Sequence, residues 1–410
     1  MIILSIETSC DETGIAILEA KGNTDNPSFK ILGEALNSQI KLHEQYGGVF
    51  PMMAKREHAR NLVPLLLKTL NQANILKQKH SHILQNMRML NSKKSDKIRK
   101  ILEKEQGLYE TFEKHIFSLD KPPIDVIAVT ECPGLEPTLW VGINFAKALG
   151  ELWNIPVKGV NHMEGHIFSV LISGKKISNS QFLISKKIHF PALALLISGG
   201  HTELVEVKKF GKYKILGKTR DDAVGEAFDK VARILGLPYP GGPEISLLTE
   251  KARKEELRIT NYELRIKLPR PMIYSKDLDF SFSGIKTAVL YLVQKLKALS
   301  PKLQAAIAKE FEDAVTEVLV YKTKVALEKT KANTLIVAGG VSANTHIKKE
   351  IKNLKKEFRD LNILFPDKKL TGDNAVMIGM PGYMKIMESG EWIVDSGKQK
   401  NIKAKGNLSL

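Results

Sequence analysis

Short apolar segments broken by polar and glycine turns set the pattern of this chain. Residues 1–7 alternate weakly and then meet a polar turn, Thr8-Ser9-Cys10-Asp11-Glu12. Residues 14–18 are apolar again, so the opening reads as strand, polar turn, strand. Residues 29–36 predict a third strand, and residues 57–76 carry apolar positions at helical spacing. Residues 124–130 form a short buried strand that runs through Pro133-Gly134-Leu135 into a helix over 138–153. Pro156 then precedes another strand at 157–160. The pattern restarts at residues 192–197, an apolar strand, followed by Ser198-Gly199-Gly200-His201-Thr202 and a returning strand at 203–207. Two halves that each open on such a hairpin predict an internal duplication. Late in the second half, residues 334–338 form a strand that ends in Gly339-Gly340-Val341-Ser342-Ala343-Asn344 and leads into a helix. Strands alternating with helices predict an α/β architecture with ligands at the carboxyl ends of the strands.

Three stretches read as additions to that pattern. Residues 77–104 hold nine Lys or Arg against Asp96 and Glu103, which fits a solvated helical hairpin better than an RNA-touching arm. Residues 173–188 read as a polar, Lys-rich loop. Residues 251–268 contain Glu-Leu-Arg-Ile twice, too few copies for a solenoid, so they read as a surface insertion. The tail from residue 396 is basic and is expected to fray.

Length and charge narrow the class. At 410 residues the chain is long enough for two or three domains. Its longest apolar run, residues 192–197, is far short of the ~20 residues of a membrane span. No basic n-region with a long apolar stretch opens the chain, so no signal peptide is expected. Two cysteines, Cys10 and Cys132, exclude a disulfide framework and fit a reducing cytoplasm. A formal net charge of +17 points to a polyanionic partner, nucleic acid ahead of a membrane surface.

Asn161-His162-Met163-Glu164-Gly165-His166 places two imidazoles at i and i+4, one face of a helical turn and close enough to share a metal. The bland alternative is two hydrogen-bonded histidines. Met163 stands where a zinc peptidase has its general-base Glu, so peptidase chemistry is poorly supported. Asp373, in Lys369-Leu370-Thr371-Gly372-Asp373-Asn374, offers a third ligand or simply a helix N-cap. Two His and one Asp with open positions suit catalytic Zn²⁺ or non-haem Fe²⁺. The glycine turns at 198–202 and 339–344, with Tyr239-Pro240-Gly241-Gly242-Pro243 as a third, let a backbone approach phosphate. No Walker A pattern is present, which argues against a P-loop NTPase. Residues 221–231 read as an amphipathic helix with Val224, Phe228, Val231 and Leu235 buried. On that helix Glu226 and Asp229 are either solvated or hold ribose hydroxyls. Asp11 and Glu12 are either a turn device or an acid–base pair.

These strings together resemble the TsaD family, the tRNA N6-adenosine threonylcarbamoyltransferases. They are Ile6-Glu7-Thr8-Ser9-Cys10-Asp11-Glu12-Thr13, Gly47-Gly48-Val49-Phe50-Pro51, Asn161 to His166, Ser198 to Thr202, Asp221 to Lys230, Asp279-Phe280-Ser281-Phe282-Ser283-Gly284-Ile285-Lys286, Gly339 to Asn344 and Thr371 to Asn374. The resemblance runs from residue 1 to about 385. It implies an actin-like, two-lobed α/β fold with duplicated mixed sheets and the active site in a central cleft. The first lobe is expected over 1–165, with a basic insertion at about 77–120, completed by about 371–395. The second is expected over 190–370, with 396–410 a flexible basic tail. The implied reaction moves a threonylcarbamoyl group from threonylcarbamoyl-adenylate to N6 of adenosine-37 in ANN-decoding tRNAs, releasing AMP.

Carried over by residue, His162, His166 and Asp373 match metal ligands, and Asp11 and Glu12 match a catalytic acidic pair. Leu196, Ile197, Ser198, Gly199, Gly200, Asp229, Gly242, Ser246 and Asn344 match substrate contacts. The resemblance further implies one divalent metal per subunit, Fe²⁺ ahead of Zn²⁺. Its implied partners are the tRNA anticodon loop, a paralogous actin-like subunit and a small ATPase helper. It also implies a cytoplasmic setting and no membrane. Three positions depart from the family pattern: Cys132 replaces the first Gly of Thr-x-Gly-Pro-Gly, Met52 follows Pro51 in place of Glu, and Leu370 precedes Thr371. Competing readings are a kinase or ATPase of the same superfamily, which leaves the histidines unexplained, a metallopeptidase, which wastes the glycine turns, and a non-enzymatic RNA-binding or scaffold subunit, which needs no clefts.

Overall fold

The computed structural model describes residues 1–24, 27–78, 92–176, 182–184, 188–254, 266–296, 298–389, 402–407 and 410. In chain order the elements are β1 (Ile2–Glu7), β2 (Glu12–Lys21), β3 (Ser28–Ser38), α1 (Ile40–Glu44), α2 (Pro51–Gln72), α3 (Ser92–Leu102), α4 (Leu108–Ile116), β4 (Val126–Cys132), α5 (Glu136–Trp153), β5 (Val157–Asn161), α6 (His162–Ser169), β6 (Ile172–Lys176) and β7 (Phe182–Ile184). They continue with β8 (Ala192–Ile197), β9 (Thr202–Lys209), β10 (Lys212–Lys218), α7 (Val224–Ile234), α8 (Gly241–Lys254), α9 (Ser283–Lys295), α10 (Pro301–Thr330), β11 (Thr334–Ala338), α11 (Thr345–Asn353), β12 (Asn362–Leu364) and α12 (Val376–Ser389). The chain divides into two compact units, one of residues 1–41, 49–186 and 373–410, the other of residues 42–48 and 187–372.

The first unit is built on a five-stranded sheet in the order β3-β2-β1-β4-β5. β1 pairs antiparallel with β2 (Leu4↔Ile17) and parallel with β4 (Leu4↔Ile127). On one face Leu4, Ile6, Ile15 and Ile17 bury against apolar residues of α2 and α5 such as Leu62, Leu66 and Phe145. The other face is covered by α12, whose Gly379 and Gly382 sit close to Leu18 and Ala128. The second unit repeats the order as β10-β9-β8-β11-β12, again with three antiparallel strands followed by parallel neighbours. All six residues of β8 are buried. The duplicated mixed sheet is the α/β, actin-like organisation the sequence led us to expect.

Several elements differ from expectation. α2 begins at Pro51, six residues before the apolar spacing becomes visible, because proline suits the first helical turn. It ends by Ala73, and Asn74 then turns at φ 56°. Within the stretch expected to be a solvated hairpin, α3 instead buries Ile98 and Leu102 in the core of the first unit. Residues 79–91 of that stretch lie outside the described residues. Part of the expected loop at 173–188 is strand, since β6 pairs antiparallel with β7. Of the expected insertion at 251–268, residues 255–265 lie outside the described residues, and Leu268 is buried in the core of the second unit. The tail residues 402–407 do not fray. Ile402 is buried and accepts a hydrogen bond from Lys147 at 2.7 Å, while the Lys405 N–H donates to the Glu131 carbonyl at 3.0 Å. The rest of the tail, save Leu410, lies outside the described residues.

Candidate metal and substrate site

The two histidines are placed by a helix that starts at the carboxyl end of β5. The Asn161 side chain accepts from the Met163 N–H (2.8 Å) and the Glu164 N–H (3.3 Å), which caps α6 and makes His162 its first residue. His166 follows one turn later on the same face, with ring centroids 4.7 Å apart. Glu164 points to another side, 3.6 Å from Lys385. Gly165 lets α6 approach α12 closely, since a Cβ there would lie 3.1 Å from Met377 and Ile378 atoms. The contact brings the start of α12 under the histidines.

Asp373 is the residue so delivered. The N-cap role considered for it belongs to its neighbour, because Asn374 accepts the Met377 N–H at 3.0 Å. The Asp373 carboxylate is thereby available to the imidazoles: its Oδ1 lies 3.2 Å from His162 Nε2 and 3.3 Å from His166 Nε2. One ligand atom from each of the three residues falls within 4.8 Å of the others. His166 is fully buried and neither ring nitrogen makes a well-aligned hydrogen bond among the described residues. A buried imidazole pair whose Nε2 atoms converge on one carboxylate oxygen is a fitting donor set for a divalent cation.

Glu7, which the sequence reading quoted only as part of a motif, completes the arrangement. It is fully buried at the end of β1, and its Oε2 lies 3.1 Å from His162 Nδ1. The Ser9 Oγ is 3.2 Å from the same nitrogen, and Thr130 donates to Glu7 Oε2 at 2.6 Å. A carboxylate on Nδ1 holds the proton there and leaves Nε2 as the lone-pair donor. The signal available in the sequence was a glutamate closing a strand that is apolar but for Ser5.

The charges are strongly interdependent. Burial works against a charged His162, but Asp373 and Glu7 outweigh it and raise the imidazole well above its usual value. Burial lowers His166. Asp373 is held far below the carboxylate range because the two imidazoles outweigh its own burial. Glu12 is raised well above the ordinary glutamate value by burial and then by Asp11 and Asp373, with Ser38 donating to it at 3.3 Å in partial compensation. Asp11, Glu12 and the histidine–aspartate set therefore share one electrostatic neighbourhood. Cys132 is buried at the end of β4, where it pairs with Asn161, and burial pushes its thiol up to about 11. Met52 is exposed and Leu370 buried.

In the second unit the expected substrate residues are spread over the end of β8 (Leu196 to Gly200), α7 (Asp229), α8 (Gly242, Ser246) and the turn after β11 (Asn344). Leu196 and Ile197 are fully buried, and the chain emerges at Ser198. Ser198 accepts the His201 N–H at its Oγ (3.1 Å) and donates its own N–H to the His201 carbonyl (2.9 Å), which closes the hairpin. Gly199 and Gly200 are exposed at its tip, with open space where a Cβ would be. Gly339 turns β11 away at φ 93°, and a Cβ there would sit 2.4 Å from the Ile197 carbonyl oxygen, so the two turns interlock.

The other expected contacts have structural duties as well. The double glycine at 241–242 opens α8 where a turn was expected, and Asp229 holds it by accepting the Gly241 N–H at 2.7 Å. Val224, Phe228, Val231 and Leu235 are buried as the amphipathic pattern predicts, although the helix starts only at Val224. Glu226 is engaged by Lys230 at 2.9 Å. Ser246 lies on α8, one turn beyond Gly242. Asn344 caps α11 by accepting the Ile347 N–H at 2.9 Å and donates to the fully buried Glu312 at 2.7 Å. Glu312, unmarked by any motif, also accepts from Thr249 (2.7 Å) and from Arg253. It ties α8, α10 and the Asn344 turn into one unit. Among the described residues no helix is long and apolar enough to cross a membrane.

Comparisons with known proteins agree with the residues. A family model described as TsaD, tRNA N6-adenosine threonylcarbamoyltransferase, matches residues 30–84 and 111–380. A protein of Nitrosomonas eutropha with that name is 38% identical over 408 residues, covering 100% of this chain and 99% of its own. Another so named, from Nitrosospira multiformis, is 39% identical over 393 residues, covering 95% of this chain and 92% of its own. Among solved structures, a ROK family protein from Streptococcus pneumoniae aligns over 96% of this chain and 100% of its own, at 12% identity and a TM-score of 0.40. With matches across nearly its whole length, the chain belongs to the TsaD family of tRNA N6-adenosine threonylcarbamoyltransferases.

Proposed function

We propose that this chain moves a threonylcarbamoyl group from threonylcarbamoyl-adenylate to N6 of adenosine-37 in ANN-decoding tRNAs, releasing AMP, with His162, His166 and Asp373 holding one divalent metal. The observation that carries this reading is the convergence of two Nε2 atoms on Asp373 Oδ1, with Glu7 Oε2 3.1 Å from His162 Nδ1. Fe²⁺ is proposed ahead of Zn²⁺, since two imidazoles and one carboxylate with open positions are the donor set of non-haem Fe²⁺ sites. When bound, the cation supplies Lewis acidity that can polarise and orient the donor's oxygens.

The chain's own residues do the rest. An adenine N6 amine is a weak nucleophile, so the acyl donor must be a mixed anhydride with a good leaving group. Glu12 is the proposed base for the N6 proton. Burial and the neighbouring carboxylates raise its proton affinity, which strengthens it as a base, and such a role is typically worth about 10² to 10⁴ in rate. The exposed Gly199 and Gly200 N–H groups are proposed to meet developing negative charge on the donor. Asp229, Gly242, Ser246 and Asn344 are proposed to hold its nucleotide part, and Leu196 and Ile197 contribute by stiffening the strand end. The target base leaves its stack at a cost of roughly a few kcal/mol. A paralogous actin-like subunit and a small ATPase are the proposed helpers, and the cytoplasm the proposed setting.

The test incubates the protein with unmodified ANN-decoding tRNA, threonylcarbamoyl-adenylate and the helper proteins, then digests the tRNA and weighs its nucleosides. Threonylcarbamoyladenosine is the expected product. Phosphorylation or peptide cleavage without it would reject the reading.

A further inference from the structure

The α11 segment carries a row of cations that neither the metal centre nor the glycine turns use. Its N-cap is Asn344, one of the proposed donor contacts. From there the helix and the 3₁₀ turn Leu354–Lys356 carry Lys348, Lys352 and Lys355 at i, i+4 and i+7, one continuous face. Lys349 and Lys356 flank that face one position on. Lys349, Lys352, Lys355 and Lys356 are exposed, and none of the five forms an ion pair among the described residues. At about 1.5 Å per residue, the run from Asn344 to Lys356 extends roughly 18 Å.

Two further observations set this row apart from an ordinary solvated face. Lys348 and Lys352 share one ring: their Nζ atoms lie 4.9 Å and 6.0 Å from the centroid of the buried Phe365. Both heads therefore rest near one aromatic ring. The acids of the segment also face elsewhere. Glu350 and Glu357 help line a separate hollow with Leu354 and His346, where Glu357 pairs with Lys324. The segment is therefore segregated by charge along its length: Lys348 meets Phe365 and the charge of Asp367, while Lys349, Lys352, Lys355 and Lys356 form no ion pair among the described residues.

We infer that this lysine row is a phosphate-binding rail for the tRNA backbone flanking the reacting loop, beginning at the donor contact Asn344 and leading away from it. Rows of Lys at this spacing neutralise successive phosphates and release their counterions, which gives affinity without reading sequence. The inference rests on the tRNA substrate proposed above.

The experiment measures binding of the full chain to an ANN-decoding tRNA from 50 to 300 mM salt. The variant K349Q/K352Q/K355Q/K356Q changes only exposed side chains and should keep its thermal midpoint. Its log–log salt slope should fall by about 2 to 3, with at least tenfold weaker binding near 100 mM salt. A control, K208Q/K209Q/K212Q/K214Q on the exposed β9–β10 hairpin, removes the same charge elsewhere and should change the slope by less than 1. An unchanged slope in the first variant, or an equal fall in both, would overturn the rail. So would a loss confined to binding of phosphatidylserine vesicles. The two readings fail separately. Wild-type protein that modifies tRNA while the α11 variant keeps its slope removes the rail and leaves the reaction. Wild-type protein that binds tRNA with a slope dependent on α11 but makes no modified nucleoside removes the reaction and leaves the rail.

Discussion

The β1–β2 turn of the first unit and the β8–β9 turn of the second hold equivalent places in the duplicated sheet, yet they are furnished in opposite ways. The first is crowded with ionisable side chains: Glu7 is fully buried, Asp11 nearly so, and Glu12 is raised by burial and then by its acidic neighbours. The second offers two exposed glycines and a serine whose hydroxyl is spent on closing the hairpin. One copy of the motif supplies a buried carboxylate against the His162 ring, and the other supplies bare backbone. Duplication fixed the strand order, and divergence of a few turn residues divided the chemistry.

That contrast can be broken by mutation, and the largest effect is expected on the metal side. Replacing His162 or His166 by Ala should remove metal and activity together, because each is one of the three proposed ligands. Metal analysis of purified variants checks this. Next in size is Glu7→Gln, which keeps the shape but weakens the hold on His162 Nδ1. Loss of such an outer carboxylate typically costs about 10- to 100-fold in metal affinity, which a competitive chelator titration would read. Wild-type affinity in this variant would show that Ser9 alone suffices to orient the ring.

On the glycine side the same kind of change should split two ways. Gly339→Ala places a Cβ against the Ile197 carbonyl at a left-handed φ and should cost roughly 1 to 3 kcal/mol of stability by denaturant melting. Gly199→Ala meets open space and should stay within about 0.5 kcal/mol of wild type. Comparable losses in the two would mean that the tip of the β8–β9 turn is packed in a way its open surroundings do not show.

Glu12 sharpens the comparison through pH. Its carboxyl holds the proton more tightly folded than unfolded. Below about pH 4.3 it is protonated in both states. Above that the unfolded chain gives up its proton first, so wild-type stability is lost as pH rises through the folded value. Glu12→Gln should therefore be the more stable protein at neutral pH in the absence of metal, with the gap closing as pH falls toward 4. Loss of activity with that gain would mark a residue kept for chemistry at the expense of stability.

Much of this was legible in the residues. The strands at 192–197 and 334–338 coincide with β8 and β11 because an apolar run bounded by polar and glycine residues leaves little choice. His162 and His166 could be paired from spacing alone. What could not be read was tertiary. The helix α3 hides in a basic stretch because Ile98 and Leu102 are its only fully buried apolar anchors. The choice between Asp373 and Asn374 as helix cap depends on which oxygen reaches the Met377 N–H. Glu7 and Glu312 look like ordinary strand and helix acids until burial shows that their partners are His162 and Asn344.

The most direct test of the central claim weighs the nucleosides of ANN-decoding tRNA after incubation with the donor, the helpers and either wild-type protein or the His162→Ala and His166→Ala variants, each also assayed for bound metal. The account expects threonylcarbamoyladenosine and about one metal per chain from wild type, and neither from the variants. Modified adenosine at wild-type yield from a variant that has lost its metal would contradict it.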